Sequence, residues 1–222
     1  MKVADLIASF RSDTDDWGTP KLWSDAEICG YLTEAEQEAA IRKHLLYDDY
    51  TLAITTYTVN PGSSRIARNP KMFEVTKVWL TAAGSHNRRR LELVDRDLLD
   101  GLQPNWRRDS RHPDFAVVSD QAILLPGLIE RPYILELEGY RLPLVDLLAT
   151  TTEQVPEIAP IHHRFLLHWA LHRAYQKSDS ETLNPGRSAA ALVEFEQYFG
   201  YRNQANQGER NQSDRPHRNK VY

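Results

Sequence analysis

Four histidines between residues 162 and 172 are the side chains whose type and spacing first suggest chemistry: His162, His163, His168 and His172. On a helix, His168 and His172 would lie one turn apart and could bind the same metal ion. A metalloprotease of the helical zinc-binding pattern needs a glutamate directly after the first histidine, but Trp169 stands there. The pattern therefore favours histidines that pack or face a partner protein. We predict no catalytic residue, no bound metal and no cofactor.

Two arginine clusters are candidates for contact with phosphate groups: Arg88, Arg89 and Arg90, and Arg107 and Arg108. Both clusters stand among residues typical of loops. Solvated turns or salt bridges to a neighbouring subunit explain them more simply than nucleic-acid binding does. We interpret them as candidate inter-subunit or DNA-facing contacts.

Signatures of nucleotide binding and covalent catalysis are absent from the sequence. The turn at residues 61–64 has neither the lysine nor the following helix of a phosphate-binding loop, and no serine stands in a nucleophile elbow. The single cysteine, Cys29, excludes an intramolecular disulfide. Because Cys29 falls in a predicted helix, we expect a buried, unreactive thiol. The sequence predicts a protein that is not an enzyme.

Two N-terminal helices are predicted to carry part of the core. Apolar residues at helical spacing predict a short helix over residues 2–10. Ser24 and Glu27 form the capping box of a second helix, which should continue to about residue 48. One apolar stripe of this second helix is the predicted N-terminal half of a bundle core, and it includes Ile28, Leu32 and Ala35.

In the middle of the chain, the spacing of apolar residues changes to two, the period of a strand. Proline, glycine, asparagine and aspartate divide this region into short segments. The predicted strands are residues 52–59, 73–80, 91–94, 115–118, 121–125 and 133–138. The middle of the chain is therefore predicted to be a β-rich unit.

Helical patterns return after the β-rich unit. Residues 157–177 have a broad apolar face, and Asn184 with Pro185 provides the N-cap and first-turn proline of a last helix. Gly200 stands where a left-handed C-cap would end it. The predicted C-terminal half of the bundle core consists of Phe165, Trp169, Leu192, Phe195 and Phe199.

The segment from residue 201 to residue 222 is strongly polar, with Ala205 its one aliphatic residue before Val221. Burial cannot offset the cost of ordering such a segment within its own chain. The segment has two acidic residues and five basic residues: Arg202, Arg210, Arg215, Arg218 and Lys220. Its formal charge is therefore +3, and since the whole chain has a net charge of −4, the remainder has −7. We predict an extended arm that a partner orders.

Together these elements predict an α+β fold. Two N-terminal and two C-terminal helices form a helical bundle, into which an antiparallel β-rich unit is inserted. The predicted domains are residues 1–50 and 151–200 for the two parts of the bundle, 51–150 for the β-rich unit and 201–222 for the arm.

The order of elements and several motifs resemble the head-to-tail adaptor (connector) proteins of tailed double-stranded DNA bacteriophages, including tail-tubular adaptors of short-tailed phages. The resemblance covers most of residues 1–200. Its motifs are residues 22–28 at the start of the long helix, residues 156–158 followed by His162 and His163, residues 169–175, and the closing stretch 195–200. Their shared order along the chain carries the resemblance, because each motif alone is common.

The resemblance implies a structural virion protein at the head-tail junction, assembled in the host bacterial cytoplasm. It implies a twelve-subunit ring beneath the portal that extends the DNA channel and provides the platform for tail attachment. The expected partners are further copies of the chain, the portal protein and a downstream tail, nozzle or neck protein. DNA would be enclosed without sequence-specific binding, and no membrane is involved. The arm would bind the portal through its basic residues, with Val221 and Tyr222 as an apolar anchor.

Two other functions remain open from the residues alone. A nucleic-acid-binding accessory protein would use the arginine clusters and the basic arm, and its binding would depend strongly on salt. A metal-dependent hydrolase would use the histidine-rich helix, although it lacks the glutamate and a clear third ligand.

Overall fold

The computed structural model describes residues 1–102, 104–108, 113–127 and 129–202. The chain divides into two compact units. The helical unit comprises Met1–Leu46 and Arg141–Arg202, so it joins N-terminal and C-terminal segments of the chain. The β-unit comprises Tyr47–Tyr140. The predicted divisions were near residues 50 and 150.

The described residues form both helices and strands, which confirms the predicted α+β class. The helices are α1 (Val3–Thr14), α2 (Asp25–Lys43), α3 (Leu52–Thr55), α4 (Arg96–Leu102), α5 (Leu166–Ala174) and α6 (Pro185–Phe199), with a 3-10 helix at Pro160–Phe165. The strands are β1 (Tyr47–Asp48), β2 (Thr56–Val59), β3 (Arg65–Ala67), β4 (Met72–Ala82), β5 (Arg88–Leu93), β6 (Phe115–Val118), β7 (Ala122–Leu124) and β8 (Tyr133–Arg141).

The start of α2 follows the predicted capping box. The Ser24 side chain accepts a hydrogen bond from the Glu27 amide at 3.2 Å, and the Glu27 carboxylate accepts one from the Ser24 amide at 2.8 Å. The helix ends at Lys43, earlier than predicted, because His44 adopts a left-handed conformation with φ of 52°. The first helix is longer than predicted and continues to Thr14, whose hydroxyl donates to the Phe10 carbonyl at 2.9 Å.

The prediction of one long helix over residues 157–177 is wrong for the first half of that range. Residues Pro160–Phe165 form a 3-10 helix, and α5 begins at Leu166. Pro160 lacks an amide hydrogen and restricts the residue before it, so regular helix cannot extend back to residue 157. At the last helix, Asn184 accepts from the Arg187 amide at 3.0 Å as an N-cap, and Pro185 occupies the first turn.

The core of the helical unit forms where α1, α2, α5 and α6 pack together. Trp23 lies at its centre, with its ring edge-on to Phe10 at 5.5 Å and to Tyr175 at 6.0 Å between centroids. Of the predicted core residues, five are buried: Ile28, Leu32, Ala35, Phe195 and Phe199. Phe165 and Trp169 are half-buried against this cluster, and Leu192 is half-buried outside it.

The β-unit is a curled sheet with the strand order β1-β8-β4-β5-β6-β7-β3, and β2 also pairs with β8. Most neighbours are antiparallel, as predicted, but β5 and β6 are parallel. A parallel pair needs a crossover connection, and the segment that contains α4 provides it. The buried face includes Met72, Leu91, Ile123, Leu125, Leu135 and Leu137.

Four elements of the β-unit differ from the predicted strands. Leu52–Thr55 is the short helix α3 rather than the start of a strand, because Asp48 accepts hydrogen bonds from the Tyr50 and Thr51 amides and turns the chain there. Strands β1 and β3 were not predicted, since two or three residues are too short to show alternation. Helix α4 was not predicted either.

Candidate functional site

The four histidines are held by separate partners instead of meeting at one site. The His172 ring donates from Nδ1 to the Ser188 carbonyl at 3.0 Å, which ties α5 to α6. His168 packs beside Phe165, and burial lowers the pKa of its ring. Among the described residues, no group of three histidine, cysteine, aspartate or glutamate side chains could hold a metal ion.

His162 and His163 have packing roles in the 3-10 helix. His163 is fully buried, and its Nε2 lies 2.8 Å from the Ile158 carbonyl, to which it must donate. Its Nδ1 lies 2.8 Å from the Met1 amine and 3.2 Å from the Met1 carbonyl. His162 Nδ1 lies 3.0 Å from the Tyr198 hydroxyl, and burial is the main cause that lowers the pKa of this ring.

The cluster of Arg88, Arg89 and Arg90 lies in strand β5 and not in a loop, which corrects the predicted context. The sequence suggested a loop because charged residues replace the alternation of a typical strand. Arg88 pairs with Glu136 at 3.0 Å and lies over the Trp79 ring at 4.4 Å. Arg89 pairs with Asp114 at 2.5 Å, and all three arginines are exposed.

Glu138 in β8 is a buried carboxylate that collects several donors of the same sheet face. Lys77 donates to it at 2.7 Å, the Trp79 indole at 2.6 Å and the Tyr47 hydroxyl at 3.0 Å. Burial alone would raise the pKa of Glu138, but these hydrogen bonds together lower it below its ordinary value. The arginine cluster thus adjoins a face that already contains its own counter-charges.

Arg107 and Arg108 follow α4, in a turn as predicted, and both are exposed. Arg107 donates to Asp100 at 2.8 Å and lies over the Trp106 ring at 4.2 Å. The hydrogen bonds from Arg107 and Trp106 lower the pKa of Asp100. Three of the five clustered arginines, Arg88, Arg89 and Arg107, therefore pair with carboxylates of their own unit, which weakens the case for phosphate binding.

The helical unit has an open cleft of 510 Å³ whose polar groups pair with one another. Lys177 donates to Glu27 at 2.8 Å, which is the first cause that lowers the pKa of Glu27 to about 2. Arg11 pairs with Asp16 at 2.5 Å and with Asp25. The cleft is lined by Arg11, Lys21, Leu22, Ser24, Asp25, Glu27 and Lys177. Arg11, Asp25, Glu27 and Lys177 therefore already pair within the unit.

Cys29 is buried in α2, as expected for an unreactive thiol. Burial is the main cause that raises the pKa of this thiol to about 11, so the thiolate is scarce at neutral pH. A nucleophilic role for Cys29 finds no support in its surroundings.

At the start of the arm, the structure describes Tyr201 and Arg202. Arg202 donates to Glu38 of α2 at 3.1 Å, and its side chain is 61% exposed. Tyr201 is exposed. The other predicted portal-binding residues, Arg210, Arg215, Arg218, Lys220, Val221 and Tyr222, lie outside the described residues.

No functional role was predicted for Glu38 and Arg42 of α2, although they contact the residues that follow α6. Arg42 Nε donates to Glu38 at 3.2 Å, and an Arg42 terminal nitrogen donates to the Gly200 carbonyl at 3.0 Å. The four-residue spacing of Glu38 and Arg42 was the available signal, because side chains four residues apart on a helix are neighbours. Their long-range partner was not visible in the sequence.

No described helix has the length and apolar character that crossing a membrane requires. In comparisons with known proteins, the family model described as SU10 adaptor protein matches residues 1–220. No curated protein matches the chain.

Proposed function

Because the chain belongs to the SU10 adaptor protein family, a family of phage adaptor structural proteins, we propose that it is the portal-to-tail adaptor of a tailed phage. The observation that carries this proposal is the family match over residues 1–220, which includes both units and nearly all of the arm. In this role the chain is a virion protein at the head-tail junction. It works by binding and has no enzymatic reaction.

The proposed assembly is a ring of twelve copies below the portal that continues the DNA channel. In such a ring, each contact is heterologous, with one surface of a subunit against a different surface of the next. The contact repeats until the rotation closes the ring. The ring then provides the platform to which a downstream tail or neck protein attaches.

The charge distribution supports enclosing DNA without gripping it. The chain without its arm has a formal charge of −7, and phosphate neutralisation by basic groups is the main source of non-specific DNA affinity. Arg88, Arg89 and Arg107 also pair with carboxylates within the β-unit. These pairs favour a structural role of the clusters over a nucleic-acid-binding accessory protein.

The arm is the proposed portal-binding segment. Its basic residues suit an acidic surface of the portal, and Val221 with Tyr222 suits a small apolar pocket at the end of the contact. Since the arm has too few apolar residues to fold alone, docking would order it at that moment. The described core of the helical unit consists of residues up to Phe199.

Deleting residues 203–222 tests this role of the arm. We expect the truncated chain to fold with an unchanged melting temperature and to lose its binding to purified portal rings in co-sedimentation, because the docking segment is missing. The full chain, sedimented with the same rings, is the control. Equal co-sedimentation of both chains would contradict the arm's role, and salt-dependent binding of duplex DNA without portal binding would favour the accessory protein instead.

A further inference from the structure

The chain leaves the helical unit through an exit clamp, which we define as Glu38, Arg42, Gly200 and Arg202. Arg42 is at its centre, and its side chain is 5% exposed. Its guanidinium lies 5.5 Å from the Trp169 ring centroid and 5.1 Å from that of Phe195. A buried cation needs carboxylate and carbonyl partners, because burial without them is costly.

Partners of Arg42 come from α2, from α6 and from the first residue after α6. Besides Glu38, it reaches Glu196 at 3.5 Å and the Gly200 carbonyl at 3.0 Å. Gly200 directly follows α6, so this hydrogen bond holds the backbone at the residue where the chain leaves the helix. This hydrogen bond and the pair of Arg202 with Glu38 keep the chain after Phe199 beside α2.

Gly200 makes this turn with φ of 88° and ψ of 170°. This backbone conformation lies outside the left-handed helical region that the sequence predicted, and residues other than glycine hardly adopt it. The Gly200 amide still donates to the Glu196 carbonyl at 2.8 Å. A glycine is therefore needed here, because its backbone angles set the direction in which the chain leaves α6.

Glu38 joins the clamp to the arm by accepting from two arginines. One oxygen accepts from Arg42 at 3.2 Å, and the other accepts from Arg202 at 3.1 Å. The Glu38 side chain is 14% exposed, whereas that of Arg202 is 61% exposed. The clamp thus has a buried half fixed in the helical unit and an exposed half that belongs to the first basic residue of the arm.

We propose that Glu38 and Arg42 are positioning residues that fix the direction of the arm where it leaves the helical unit, and so prepare it for docking. This inference rests on the proposed function of the arm. Fixing a backbone costs free energy at each ordered residue, so a first segment that is already held reduces the cost of binding. Glu38 and Arg42 then increase portal affinity without themselves touching the portal.

The clamp is tested with Arg202→Ala and Glu38→Gln in the full chain. Each variant should weaken portal binding by about fivefold, since exposed or half-exposed ion pairs contribute about that much. The heteronuclear ¹⁵N relaxation of the Tyr201 amide in the free chain is the second readout. We expect faster local motion of Tyr201 in both variants, a change that a loss of global stability would not produce.

The matched control is Arg164→Ala, because Arg164 of the same unit is 62% exposed and lies 3.8 Å from Asp13. This change should leave portal affinity and Tyr201 motion as they are. If Arg202→Ala and Glu38→Gln bind the portal like the unchanged chain while deletion of residues 203–222 abolishes binding, the arm's role stands and the clamp is wrong. Unchanged Tyr201 relaxation in both variants would also overturn the clamp, whatever the portal does.

Discussion

Glu36 of α2 shows how a single buried side chain controls the packing of a distant segment. Its carboxylate is 1% exposed and accepts from the Glu157 amide at 2.5 Å and the Ile158 amide at 3.2 Å. Burial raises the pKa of Glu36 to about 7, against the opposite effect of these two hydrogen bonds and of Arg141. Glu36 therefore holds the chain before the 3-10 helix at the cost of burying a charge near neutral pH.

The replacement Glu36→Gln should change the pH dependence of stability. A carboxyl group whose pKa is raised on folding binds its proton more tightly in the folded chain, so its contribution to stability falls as pH rises from about 4.5 to about 7. Glutamine keeps an acceptor for the two amides and carries no charge. At pH 8 the variant should therefore be more stable than the unchanged chain by about 2 kcal/mol.

Urea unfolding at pH 5 and pH 8 measures this difference. At pH 5 the variant and the unchanged chain should have nearly equal stability, because Glu36 is then protonated in the folded chain. Glu153→Gln is the control, since the Glu153 side chain is 76% exposed and its pair with Lys2 should leave the pH dependence unaltered. The same pH dependence for Glu36→Gln and the unchanged chain would contradict the account of Glu36.

Several residues could be read correctly from the sequence because their environment is local. Ser24 and Glu27 define their cap within four residues, and Asn184 with Pro185 defines the first turn of α6. Glu36 and Arg42 could not be recognised, since their partners lie more than a hundred residues away. Long-range partners leave no trace in the spacing of one sequence.

Helices and strands differ in how far the sequence determined them. The capped helices α2 and α6 were predicted with nearly correct starts, because caps and apolar stripes are local signals. The predicted helix before α5 is a 3-10 helix that begins at Pro160. Short strands such as β3 have too few residues to show a period. The parallel pairing of β5 with β6 depends on the sheet as a whole.

The central pairing of the β-unit depends on Gly139 in β8. A methyl group at this position would lie 2.0 Å from the Glu74 carbonyl oxygen and 3.0 Å from the Val75 Cα, both of which are backbone atoms of β4. Backbone in a paired strand cannot move aside as a flexible side chain can. Gly139→Ala should therefore destabilise the β-unit by about 3 kcal/mol or more.

Gly101→Ala in α4 is the matched control, because a methyl group there meets no atom within 4 Å. In a helix this change should be neutral or stabilise by up to about 1 kcal/mol. Urea unfolding of both variants measures the contrast. If Gly139→Ala is as stable as the unchanged chain, β4 and β8 do not approach as closely as the structure places them.

The whole molecule combines a helical unit built from both ends of the chain with a β-unit built from its middle. Many of its described charged groups pair within their own unit, as Arg42 with Glu38 and Lys77 with Glu138 illustrate. Such a chain suits a part that is built into a larger assembly. Membership of the SU10 adaptor protein family agrees with this description.

Native mass spectrometry shows whether twelve copies form a ring on the portal. Purified chain is mixed with the portal ring, and the complex is isolated by size and weighed beside the portal alone. We expect a single added mass of twelve times the 25.6 kDa chain. A portal mass that stays unchanged in the presence of excess chain, or an added mass that corresponds to another number of copies, would contradict it.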